Sequence, residues 1–166
     1  SATPQNQNYI GEKISIGAKG CVIFCIKSFS LSGHPALQAE KQNSLHNMID
    51  FLAKIKTYPL DSGNEYFEPS RIQILSIESK NGQDTNIPEE TQALVGLYYN
   101  SDHHQAEIVE WMKKNIVFSK GEFELSYRFG AESYINKPSS MSALLQSSVQ
   151  NIIGSSPRLS GNDIPN

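Results

Sequence analysis

Cysteine is scarce in this sequence, and that excludes a disulfide scaffold. The 166 residues hold two, Cys21 and Cys25, inside Cys21-Val22-Ile23-Phe24-Cys25-Ile26, a stretch with the alternation of a strand. Four residues of strand separate them by about 13 Å, beyond the roughly 7 Å between Cα atoms that a disulfide tolerates. The same distance prevents them from sharing one zinc ion. They are expected to be small apolar residues of a reducing, cytoplasmic protein. An excess of one charge is lacking too. Fourteen Lys and Arg stand against 17 Asp and Glu, a net charge of −3, without the clustered basic surface that nucleic-acid binding requires. No apolar run approaches the roughly 18–20 residues of a membrane span. Ser1-Ala2-Thr3-Pro4-Gln5 has neither the basic start nor the apolar stretch of a secretion signal. Hydrophobic residues make up 38%, enough for one core or a little more.

Catalytic motifs are as scarce as cysteine. There is no phosphate-binding P-loop, no GxSxG, no GxGxxG and no HExxH. Four histidines occur, His34, His46, His103 and His104, with no i, i+4 pair for a helical metal site. His103 and His104 are adjacent at a helix start, so their side chains are expected to diverge on the surface, and His46 is expected in solvent. The acidic pairs Glu65/Glu68 and Glu89/Glu90 sit in turn-like polar contexts and are expected to be solvated. His34 differs because it follows a glycine just past a strand end, where loops present functional groups.

What the sequence has is periodicity. After twenty polar, turn-rich residues with one apolar alternation at Ile14 and Ile16, the segment from Cys21 to Leu31 is a strand, broken by Gly33-His34-Pro35. Leu45, Met48, Ile49, Leu52 and Ile55 form a helical stripe, capped by Asn43 or Ser44. Ile72, Ile74, Leu75 and Ile77 mark a second strand, and Ala93, Val95, Leu97 and Tyr99 a third. The connection between them, Lys80 to Pro88, carries an Asn81-Gly82 turn signal. A second helix spans about 102–117 with Ile108, Trp111, Met112 and Ile116 inward. Phe123, Leu125, Tyr127 and Phe129 then alternate with polar residues in a last strand. The order β-α-β-β-α-β predicts an α+β, ferredoxin-like fold, a four-stranded antiparallel sheet with two helices on one face. A C-terminal helix follows, with Met141, Leu144, Leu145, Val149 and Ile152 on one side, and the tail from Ser155 is expected to fray.

Five landmarks, in order, resemble one family. Ile10-Gly11-Glu12-Lys13-Ile14-Ser15-Ile16-Gly17-Ala18-Lys19-Gly20 is similar to the "GDxIKxGRRG" segment of the dinuclear-zinc amidohydrolases, which include the desuccinylases, aminoacylases and carboxypeptidases. Gly33-His34-Pro35-Ala36 sits where these enzymes carry "GHVAYPH". Gly63-Asn64-Glu65-Tyr66-Phe67-Glu68-Pro69 resembles "GNEFFPPT" of the desuccinylase branch. Thr85-Asn86-Ile87-Pro88 is similar to "TNVIP", and Ala131-Glu132-Ser133-Tyr134 stands in for "GEPF". Together they cover residues 3 to 160 or so.

This resemblance implies that residues 18–130 are the lid, or dimerisation, domain. Residues 1–17 and 131–166 then belong to the flanking catalytic domain, the latter with helix 139–153 and a frayed tail. The activity implied is hydrolysis of an N-acyl amide in the lysine/diaminopimelate pathway, with two zinc ions in the complete parent enzyme. His34 then stabilises the oxyanion in the partner subunit's site, Asn86 contacts substrate, and the chain forms a homodimer through a lid edge strand and helices. The strand with Ala93, Val95 and Leu97, uncharged between Glu90 and Asp102, is the expected open edge. The chain itself holds no metal-ligand set: the family's carboxylate ligand falls on Thr3, and its other ligands have no counterpart here. The family's lid arginine falls on Tyr98. The isolated chain is therefore expected to be non-catalytic. The alternative is an autonomous ferredoxin-like module that binds a small ligand or a protein. An RNA-binding version would need aromatic and basic residues together on the central strands, and the strand around Cys21–Lys27 offers one of each.

Overall fold

The computed structural model describes residues 11–31, 33–37, 43–57, 59–80 and 85–165. In chain order it contains β1 (Lys13–Ala18), β2 (Gly20–Phe29), a 3-10 turn (Pro35–Leu37), α1 (Ser44–Thr57), β3 (Arg71–Lys80), β4 (Glu90–Tyr99), α2 (Gln105–Val117), β5 (Glu122–Phe129), β6 (Tyr134–Ile135), α3 (Ser140–Ile153) and β7 (Arg158–Asn162). Four strands form one sheet in the order β3-β4-β2-β5, antiparallel throughout. That is the ferredoxin-like order the pattern predicts.

Strict alternation builds the core. Val22, Phe24 and Ile26 of β2 and Ala93, Val95 and Leu97 of β4 are fully buried with Met48, Phe51 and Ile55 of α1 and Ile108 and Met112 of α2. Both helices therefore cover the same face. The opposite face carries Cys21, Ile23, Cys25 and Lys27 from β2, each half-buried, and both cysteines are free. Asn43 caps α1, its side-chain oxygen accepting from the N–H groups of Leu45 (3.0 Å) and His46 (3.3 Å). Ser44 instead donates to the Pro88 carbonyl at 2.8 Å.

Several expectations need correction. The strand read as an open edge is central: β4 lies between β3 and β2, and the edges are β3 and β5. The α1 crossover carries β3 to the outside and the following hairpin returns β4 beside β2, so an uncharged alternation marks an interior strand. On α1, Phe51 is buried and Ile49 is 49% exposed, a rotation of the stripe by well under a quarter turn, since Met48, Leu52 and Ile55 stay buried. Tyr127 and Phe129 share the helix side of β5 but lie 42% and 52% exposed, because they sit near the end of an edge strand. The tail does not fray. Its β7 pairs in parallel with β1, and β6 pairs with β1 on the other side. No residue of α3 is buried, although a Ser139 cap and Gly154 (φ 78°) delimit it. The Asn81-Gly82 turn lies outside the described residues.

Removing a buried aromatic leaves a cavity that its neighbours fill only partly, whereas a half-exposed isoleucine leaves none. Phe51→Ala is expected to cost about 3–5 kcal/mol, and Ile49→Ala less than about 1 kcal/mol. Urea unfolding of the two variants checks the stripe; equal losses would place Ile49 in the core.

Candidate functional site

The two residues the family resemblance selects come together at one end of the four-stranded sheet. Beyond β2 and before β4 the chain continues as an antiparallel ribbon. The Ser30 N–H bonds the Glu89 carbonyl at 2.9 Å, and the Ile87 N–H bonds the Gly33 carbonyl at 3.0 Å. The Ser30 hydroxyl donates to the Pro88 carbonyl at 2.6 Å, where Ser44 also donates. Gly33 and Ile87 are bridge partners, so His34 and Asn86 are the next residues opposite each other. His34 is exposed and Asn86 half-buried. The Ala36 N–H donates to His34 Nδ1 at 3.3 Å, which leaves Nε2 as the ring nitrogen free to donate. An imidazole N–H on an exposed loop can donate to a developing oxyanion, but it cannot activate water alone.

At the sheet's other end the segment Asp61–Ser70 is folded tightly onto the start of α2. The Asp61 carboxylate accepts from the N–H groups of Gly63 (2.8 Å) and Ser70 (3.0 Å) and meets His103 Nε2 at 3.0 Å. Asn64 accepts from the N–H groups of Tyr66 and Phe67 and donates to Asp102. Phe67 is buried against Gly17 and Gly161, where a Cβ on Gly161 would collide with its ring. His103 is therefore not surface decoration, and its pairing with Asp61 lay beyond sequence reasoning because the two are distant in the chain. His104 and His46 are exposed as expected, as are Glu65, Glu68 and Glu89, whereas Glu90 is half-buried between Lys27 (3.5 Å) and Lys80 (3.4 Å). Lys19 and Asp163, equally unforeseen, form a 2.9 Å ion pair.

Among the described residues no three His, Cys, Asp or Glu side chains converge to hold a metal ion. Thr3 lies outside those residues. Among the described residues the side chains do not assemble a zinc site.

The sequence profile described as Peptidase dimerisation domain matches residues 16–129, a span that contains β2 through β5 and both packed helices. The chain belongs to the M20 peptidase dimerisation-domain family. Similar proteins include a succinyl-diaminopimelate desuccinylase of Ehrlichia canis (strain Jake), 34% identical over 95% of this chain and 41% of that protein. A second, from Roseobacter denitrificans, is 29% identical over 95% of this chain and 42% of its own. This M20 chain thus spans about two fifths of the length of the curated relatives it matches. Among solved structures, the M20 family metallo-carboxypeptidase Sso-CP2 from Sulfolobus solfataricus superposes with a TM-score of 0.66 at 12% identity, covering 91% of this chain and 53% of its own. The aminopeptidase PepT of Bacillus cereus gives 0.65 at 13%, covering 91% of this chain and 40% of its own. At such identities the likeness is one of fold. No helix of the described residues is long and apolar enough to cross a membrane.

Asp61 makes the loop of this M20 domain sensitive to acid. Burial alone would raise its carboxyl, but the Ser70 hydroxyl, the Ser70 and Gly63 amides and the His103 ring together hold it below the usual carboxylate range. A depressed folded-state value contributes stability above the unfolded pKa, near 3.9, and that stability is lost as pH falls through the folded value. Asp61→Ala is therefore expected to lower stability by about 1–3 kcal/mol at pH 7 and to flatten the decline below about pH 4. Urea midpoints at pH 7 and pH 3 measure this. Parallel declines in the two proteins would remove Asp61 from this role.

Proposed function

We propose that residues 18–130 are the lid and dimerisation domain of a zinc-dependent N-acyl-amino-acid hydrolase of the succinyl-diaminopimelate desuccinylase type. Residues 1–17 and 131–166 belong to its catalytic domain, and the setting is cytoplasmic. The observation that carries this reading is the Gly33–Ile87 bridge, because it pairs His34 with Asn86 at one loop tip. The small sheet β6-β1-β7 supports it: parallel pairing such as β1 with β7 is characteristic of sheets covered on both faces, and α3 beside it has no buried residue.

In amide hydrolysis, water adds to the acyl carbon and the carbonyl oxygen gains negative charge. The outward Nε2–H of His34 donates to that oxygen in the partner's site, and Asn86 orients the acyl group. A donor aimed at charge that exists only in the transition state acts on kcat rather than on ground-state binding. In the full-length protein acting on N-succinyl-diaminopimelate, His34→Ala is expected to lower kcat by about 10²–10³ with KM nearly unchanged. An unchanged kcat would leave His34 a loop residue and nothing more.

The homodimer of this reading forms along β3. No charged residue lies between Arg71 and Glu78, and Leu75 and Ile77 are 50% and 44% exposed. The other edge, β5, carries Glu122, Glu124 and Arg128, charges of the kind that blunt edge pairing. Light scattering of the chain should give about twice 18.4 kDa, and Ile77→Lys should give the monomer mass. A monomer at every concentration before any substitution would favour an autonomous module.

A further inference from the structure

The loop tip that carries His34 and Asn86 is held by hydroxyl groups where the backbone ladder is interrupted. Pro88 stands between the two backbone rungs of the ribbon, Ser30 to Glu89 and Ile87 to Gly33, and a proline has no N–H to donate. Pro88 is buried, and its carbonyl accepts twice, from Ser30 Oγ at 2.6 Å and from Ser44 Oγ at 2.8 Å. Ser44 Oγ in turn meets Thr91 Oγ1 at 3.0 Å, and Thr91 Oγ1 meets Ser79 Oγ at 3.0 Å. Ser44 and Thr91 are fully buried, so a hydroxyl that lost its partner there would stay unsatisfied at a cost.

The direction of the protons along this row follows from counting. A hydroxyl has one proton to donate. Ser44 spends its proton on the Pro88 carbonyl, so it accepts from Thr91, and Thr91, its own proton spent, accepts from Ser79. The row therefore runs one way, from Ser79 on the edge strand β3, through β4 and the start of α1, to the loop. Hydrogen bonds in such a row polarise and strengthen one another. Capping does not account for Ser44, because Asn43 fills that role. A buried serine in the first helical turn, where alanine has the higher intrinsic propensity, is explained by the carbonyl its hydroxyl reaches.

We propose that Ser44 and Thr91 are positioning residues, whose hydroxyl row clamps the Pro88 carbonyl and so holds the tip with His34 and Asn86 in one arrangement. This rests on the proposed function for what the tip does, but not for the clamp itself. The clamp is tested on the 166-residue chain by NMR order parameters of the backbone. Ser44→Ala and Thr91→Val remove a hydroxyl with little change of shape. Both should take Asn86 and Ile87 from about 0.85 toward about 0.6, with the centre of β2 unchanged. Thr91→Ser keeps the hydroxyl and should stay near 0.85. In the full-length protein acting on N-succinyl-diaminopimelate, Ser44→Ala and Thr91→Val should lower kcat about 10- to 100-fold with KM nearly unchanged. Thr91→Ser should keep the rate although it loses a buried methyl group and with it stability, whereas a merely structural role would make rate follow stability. Order parameters unchanged in both hydroxyl-free variants would overturn the clamp. An unaltered kcat in them, where His34→Ala lowers it, would overturn the positioning role. His34→Ala measured alongside reports on the proposed function separately, so the two can fail independently.

Discussion

A buried ammonium constrains the rest of this molecule. Lys19 is the single residue between β1 and β2, and its side chain is 1% exposed. An ammonium withdrawn from water that far costs several kcal/mol unless it is paired and hydrogen-bonded. Asp163 supplies the countercharge and Pro69 a carbonyl, and the Lys19 backbone N–H bonds the Asn162 carbonyl at 2.9 Å. Three segments far apart in sequence are thereby brought to one point: the start of the large sheet, the end of the 61–70 loop and the tail. The Gly161 N–H closes the same junction on the Tyr66 carbonyl at 2.6 Å, with Phe67 packed over Gly161. The Gly63–Pro69 landmark is therefore a structural joint as well as a family mark.

From that joint β2 runs through the centre of the sheet for ten residues, and its neighbours are positioned from it. Its inward residues hold α1 and α2, its outward residues make the open face, and its far end leads into the ribbon that carries His34. Ser44, the first residue of α1, hydrogen-bonds both Pro88 and Thr91. The helix that covers the core thus also fixes the strand that presents Asn86.

The sequence states clearly which residues of an element face inward, because water on one side and core on the other leave a periodic trace. β2, β4, β5 and both packed helices were legible on that ground, as was the ferredoxin-like order. Neighbour relations leave no such trace. β4 looked like an edge because alternation is the same for an edge and a centre, and only the crossover geometry separates them. β7, Arg-Leu-Ser-Gly-Asn, has one large apolar residue, and its pairing is decided by β1 at the opposite end of the chain. His103 and Asp61, or Lys19 and Asp163, are contacts between polar turn residues that look alike in any exposed loop. His34 and Asn86 are singled out by the order of motifs alone, and their placement beside one bridge emerges only from the fold.

The two ends of the sheet then set a distance that matters for function. Arg71 and Tyr98 lie at the end of the β3–β4 pair near Lys19, and His34 and Asn86 lie beyond the opposite end, past Phe29 and Glu90. The twelve residues from Asn86 to Tyr98, at about 3.3 Å each, separate them by roughly 40 Å. One small ligand therefore cannot meet both ends of the same chain. A dimer whose sheets join through β3 would bring the loop end of one copy toward the Arg71 end of the other, because antiparallel strands related by a two-fold axis place opposite ends side by side.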